Sequence, residues 1–132
     1  MSALPVLAIT MGDPASIGPE IGVKALLQES IHTICRPMLV GDAAVFQQII
    51  DKLKLPAKVN AVSKVTDAKF EIGAIDVYDL NITDISKLEF GKIDAMCGEA
   101  SVQAVKKAIE LAIAGEVDGT VTGPINKKSI NE

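Results

Sequence analysis

Leu4-Pro5-Val6-Leu7-Ala8-Ile9-Thr10, running directly into Met11-Gly12-Asp13-Pro14, is the stretch that decides the fold. An apolar run without alternation is how a strand buried on both faces reads, and glycine and proline straight after it mark an abrupt end. Strands covered on both faces belong to parallel sheets flanked by helices. Beyond the turn, Pro19 suits the first turn of a helix whose apolar face is Ile21, Ala25 and Leu26, reaching to about Ser30.

The unit then repeats. Arg36 to Val40 reads as a second strand closed by Gly41 and Asp42, and Phe46, Ile49, Ile50 and Leu53 share one face of a second helix. Lys58 to Val62 and Ile75 to Leu80 are further strands, joined by a charged, weakly periodic stretch. The polar stretch from Asn81 to Gly98 is a connection. Val102, Val105, Ile109, Ala112 and Ile113 predict the buried face of a long helix, with Gln103, Lys106, Lys107 and Glu110 in water and Gly115 ending it. Val117 to Thr122 returns as a strand. Such alternation implies right-handed crossovers and an α/β fold, a mostly parallel sheet with helices on both faces.

Composition agrees and excludes several functions. A chain of 132 residues that is 48% hydrophobic supports one domain, and with 3% aromatics its core must come from Ile, Val, Leu and Ala. A net charge of −4, with both signs interspersed, offers no basic stripe for nucleic acid. No basic segment precedes the first apolar run, and nothing approaches the roughly 20 apolar residues of a membrane span, so a cytoplasmic protein without membrane contact is expected. Cys35 and Cys97 belong to no CxxC pair and read as buried thiols. His32, the only histidine, has no neighbouring donors at ligand spacing and is expected at a helix end.

Two loops follow strand ends and carry unusual chemistry, so they should face one cleft. The first, Met11-Gly12-Asp13-Pro14-Ala15-Ser16-Ile17-Gly18-Pro19-Glu20, lies between a strand and a helix start, where backbone N–H groups and the helix dipole suit an anion or nucleotide. It matches neither GxGxxG nor a P-loop. On spacing alone the plainer reading outweighs the functional one, because glycine and proline punctuate any such turn and Glu20 favours the dipole without further purpose. The second, Thr120-Val121-Thr122-Gly123-Pro124-Ile125-Asn126-Lys127-Lys128, gathers a hydroxyl, an amide and ammonium groups that suit a phosphate or alcohol oxygen. Alone, it too reads more simply as a solvated polar turn.

Together the loops are more specific. The run from Ile9 to Glu20, with Val121-Thr122-Gly123-Pro124-Ile125-Asn126-Lys127 later in the chain and Gly41-Asp42 between them, resembles the 4-hydroxythreonine-4-phosphate dehydrogenase family along the whole sequence. Ser16 stands where that family usually has glycine, which restricts φ in the loop but leaves Asp13 and Glu20 in place. The resemblance implies that residues 1–132 are the N-terminal α/β portion of a longer, two-domain protein whose fold is similar to isocitrate and isopropylmalate dehydrogenases. The family's His-Thr pair, metal-binding histidines and phosphate-holding Lys, Asn and Arg would lie beyond Glu132.

That resemblance implies oxidation of 4-phosphohydroxy-L-threonine by NAD or NADP, followed by decarboxylation, in pyridoxal phosphate biosynthesis. A divalent metal (Zn, Mg or Co) would be held by ligands outside this chain, and the full-length protein would be a homodimer. By position, Gly12, Asp13 and Glu20 fall on the cofactor side and Thr122, Asn126 and Lys127 nearer a small phosphorylated hydroxy acid. Alternatives are a relative acting on phosphorylated threonate or erythronate, a phosphate acyltransferase of similar fold working without NAD, or a non-catalytic binding module. The 132 residues alone are expected to be inactive and to expose apolar surface, with self-association or marginal stability as the result.

Overall fold

A computed structural model describes residues 4–12, 18–81 and 95–122. In chain order the elements are β1 (Val6–Thr10), α1 (Gly18–Leu26), α2 (Glu29–Ile34), β2 (Arg36–Gly41), α3 (Ala43–Leu53), β3 (Lys58–Val62), a 3-10 turn (Val65–Asp67), β4 (Ala74–Asp79), α4 (Ala95–Ile113) and β5 (Gly119–Val121). The five strands form one sheet in the order β3-β4-β2-β1-β5, and every pairing is parallel. The expected α/β architecture is therefore present.

Crossover handedness explains which helix covers which face. Right-handed connections moving outward from β1 to β2 and from β2 to β3 use one face, while those returning from β3 to β4 and from β4 to β5 must use the other. The packing agrees. Val23 and Leu26 of α1 and Val45, Phe46 and Ile50 of α3 join Leu39, Ile75 and Val77 in one core. Val65 of the 3-10 turn and Ala104, Ala108 and Leu111 of α4 join Ala8, Met38 and Val40 in the other. Alternate residues of β2 thus feed opposite cores, as a strand with a two-residue period requires.

The helix expected from Pro19 to about Ser30 is two helices. Gln28 has an extended backbone at the start of α2, and His32 Nε2 lies 2.6 Å from the Leu26 carbonyl oxygen. That geometry makes the nitrogen the donor, so the ring satisfies a carbonyl at the end of α1 that has no helical partner. His32 sits in the last turn of α2, as a helix-end residue should.

The predicted buried face of α4 is corrected. Gly98, Ala100, Ser101, Ala104, Ala108 and Leu111 are buried, whereas Ile109 is 48% and Ile113 83% exposed. Small side chains let α4 lie close over β1 and β2, and Ser101 Oγ donates to the Gly98 carbonyl at 3.0 Å. Val102, Val105, Ile109 and Ile113 form a second stripe of helical period, which periodicity cannot tell from the true one. Val102 and Val105 are half-buried, and Ile109, Ile113 and Val121, the last at 46%, leave apolar surface exposed. The strand limits also shift at both ends of the chain. Leu4 is 37% exposed and precedes β1, Leu7 and Ile9 are half-buried, and Val117 packs in the core ahead of β5.

Cys35 is buried, and its thiol donates to the Ile31 carbonyl at 3.4 Å. Burial raises its pKa, because a thiolate there would be poorly solvated. At neutral pH, alkylation of Cys35 by iodoacetamide should be at least about tenfold slower than that of a free thiol and should reach the free rate in denaturant. Peptide mass spectrometry reads this directly, and equal rates in the native protein would contradict the burial. The same shift makes the Cys35 contribution to stability complete below the ordinary thiol range and lost as pH rises through the folded value.

Candidate functional site

Parallel strands all end at one edge, so the exits of β1, β2, β4 and β5 lie side by side: Met11–Gly12, Asp42, Leu80–Asn81 and Thr122. Ligands of open α/β sheets collect at this edge. Gly12 is buried there with φ of 72°, a left-handed backbone that glycine adopts without penalty. The Met11 N–H donates to the Val40 carbonyl at 2.9 Å, extending the β1–β2 pairing past the strand end. Gly41 permits that approach, since a Cβ built on it would lie 2.6 Å from Met11 Cβ and 2.9 Å from Sδ.

The two loops singled out in the sequence leave neighbouring strands. Ile9 pairs with Val121, so Gly12 and Thr122 emerge at the same edge of adjacent strands, and Thr122 is exposed. Asp13, Asn126 and Lys127 lie outside the described residues. Glu20 stands in the first turn of α1, where its Oε2 accepts from Lys24 Nζ at 3.2 Å. This exposed i,i+4 pair gives Glu20 a structural role, worth at most about 0.5 kcal/mol, and offsets its charge near the helix start.

Two further carboxylates, Asp42 and Asp79, stand at this edge. Asp79, the last residue of β4, accepts at one oxygen from the Ala43 N–H (3.2 Å) and the Asn81 N–H (3.1 Å). The Leu80 N–H donates to the Gly41 carbonyl at 2.8 Å beside it. The exits of β2 and β4 are thereby stitched together. Asp42 begins α3 with an extended backbone but makes no side-chain cap bond, and it is 2% exposed. A strand-ending Asp was the available signal for both, but the sequence does not show that β4 lies next to β2.

Among the described residues no group of three or more His, Cys, Asp or Glu could hold a metal ion. The described donor set therefore does not fit a divalent metal. Among the same residues, no helix is long and apolar enough to cross a membrane.

Similarity to known proteins agrees with this geometry. The family model described as "Pyridoxal phosphate biosynthetic protein PdxA" matches residues 33–132. A Clostridium botulinum protein provisionally named D-threonate 4-phosphate dehydrogenase is 41% identical over 97% of this chain and 38% of its own length. One of the same provisional name from Symbiobacterium thermophilum is 41% identical over 98% of this chain and 39% of its own. The crystal structure of a 4-hydroxythreonine-4-phosphate dehydrogenase from Burkholderia phymatum superposes with a TM-score of 0.94 at 36% identity, covering 98% of this chain and 39% of that one. The chain thus spans about two fifths of the length of these relatives. By its sequence match and its fold alike, it belongs to the PdxA family of pyridoxal phosphate biosynthetic proteins.

Proposed function

We propose that this chain supplies cofactor- and substrate-facing loops of an NAD(P)- and metal-dependent dehydrogenase acting on a four-carbon phosphorylated hydroxy acid. The observation that carries the reading is the pairing of β1 with β5, which brings Gly12 and Thr122 to one edge. The names borne by relatives support the chemistry. Bound NAD(P) would accept the hydride. The left-handed Gly12 lets backbone come close to an anionic group without a side chain intervening. Asp13 and Glu20 would face the cofactor side, with Glu20 reoriented from its pair with Lys24 if it takes part. Thr122, Asn126 and Lys127 carry donors suited to the substrate's phosphate or hydroxyl oxygens. Metal ligands are assigned to none of the described residues.

Two substrates are supported by different relatives. Matching sequences favour D-threonate 4-phosphate, and matching crystal structures favour 4-hydroxythreonine 4-phosphate. Amide NMR of the chain titrated with NAD and with each acid separates these readings. The Gly12 amide should shift with NAD and the Thr122 amide with the preferred acid, while added Mg2+ or Zn2+ should produce no reduced cofactor. An unmoved Gly12 at saturating NAD removes the cofactor assignment, and turnover would show that catalytic ligands lie within these residues.

A further inference from the structure

Asp42 occupies the place where an aspartate ordinarily caps its own helix, accepting a backbone N–H of the first turn, and it does not do so. Asp79 performs that service from the neighbouring strand, through the Ala43 N–H. Burying a carboxylate is costly unless it is engaged, and Asp42 is both buried and engaged in a polar interaction. Capping α3 therefore does not account for a carboxylate at this position.

Its place in the fold suggests what does. β2 sends its chain to the face of α3, and β4 sends its chain to the face of α4, so the topological switch point among the described strands lies between β2 and β4, at Asp42. The Asp79 stitch closes this crevice. Continuing the pairing of Thr10 with Val40 by two residues puts Asp42 level with Gly12. Met38 and Val40 face α4, and so does Asp42 if the strand's alternation continues through its extended backbone. The buried Thr10 lies on the same side of the neighbouring strand.

We propose that Asp42 is a positioning residue for the ligand site at the carboxyl edge, fixing from the α4 side the ends of β1 and β2 between which Gly12 turns, while Asp79 holds α3. The assignment of a ligand to this edge rests on the function proposed above.

Asp42→Asn, Asp42→Ser and Asp79→Ala in the 132-residue chain test it by amide hydrogen exchange and NAD titration. Serine suits an N-cap position, so it removes the carboxylate without depriving α3 of a capping side chain. Both Asp42 variants should speed exchange at Met11, whose N–H meets Val40, by about tenfold. They should weaken the NAD response of Gly12 by about tenfold and leave Ala43, Val45 and Phe46 within about twofold of the parent. Asp79→Ala should do the reverse, exposing Ala43 and sparing Met11. The proposal is overturned if the Asp42 variants deprotect α3 as Asp79→Ala does, or if they leave Met11 exchange unchanged. If Gly12 in the parent chain ignores NAD, the ligand reading of this edge fails, while Met11 exchange still decides whether Asp42 orders the strand ends.

Discussion

Asp76→Ala is expected to destabilise the protein by about 3 kcal/mol or more, because this carboxylate holds a whole connection in place. Asp76 is 1% exposed, in the middle of β4. One oxygen accepts from Asn60 Nδ2 at 2.8 Å and from the Lys69 N–H at 3.0 Å. The other accepts from the Phe70 N–H at 2.7 Å. Phe70 has a left-handed backbone, φ 53°, which a phenylalanine adopts only when its surroundings impose it. Alanine would orphan two backbone donors and leave the Asn60 amide only its longer bond to the Asp67 carbonyl, at 3.5 Å, each bond to a charged group being worth about 1.5–3 kcal/mol. The returning connection would loosen, releasing Val65 from the α4-side core and Phe70 from beneath the Arg36 guanidinium, which lies 5.9 Å from its ring centre.

Thermal and urea melts measure the loss, and a fall of roughly 10 °C in Tm is the corresponding scale for a domain of this size. Asp76→Asn, which keeps one carbonyl acceptor but turns an NH2 toward donors, should fall between the parent and the alanine variant. A cost below about 1 kcal/mol for Asp76→Ala would show that water replaces the carboxylate and that the network is incidental.

Much of this fold was legible because local signals and global topology agree. The run ending at Thr10 and the closure of β2 at Gly41-Asp42 stand where their patterns put them, as does the face of α3 at Phe46, Ile49 and Ile50, whereas Leu53 in its last turn is 39% exposed. Gly115, with φ 78°, follows the end of α4 as expected. Local patterns failed where two solutions share one period. The alanine stripe of α4 and the Val102–Ile113 stripe repeat alike, and only contact with the sheet selects the smaller residues. The break between α1 and α2 depends on His32 reaching back to Leu26, a contact no periodicity contains.

For the site, the common edge of Gly12 and Thr122 followed from parallel strands, whereas the parts played by Asp42, Asp76 and Asp79 did not. Each depends on β4 lying between β3 and β2, and strand order is set by tertiary packing. Asp79 caps a helix that starts 36 residues earlier. Read as sequence, it is simply an acidic residue at the end of a strand.

Gly41→Ala carries the other large effect, and it reaches the candidate site through backbone. The new methyl would lie 2.6 Å from Met11 Cβ. A flexible side-chain end could swing away, but a Cβ moves only with its main chain, and the Met11 N–H is tied to the Val40 carbonyl. The end of β1 must therefore separate from β2, at a cost of about 2–3 kcal/mol and with displacement of the Gly12 turn. Both the melting temperature and the NAD response of Gly12 should fall. Double substitutions identify the cause. In a Met11→Ala background the penalty of Gly41→Ala should largely persist, because alanine keeps the offending Cβ. In a Met11→Gly background it should drop to within about 0.5 kcal/mol of zero, the coupling then belonging to that atom pair. If Met11→Ala relieves the penalty as fully as Met11→Gly, the crowding lies with the thioether chain, and the two strand ends are not locked together at Gly41.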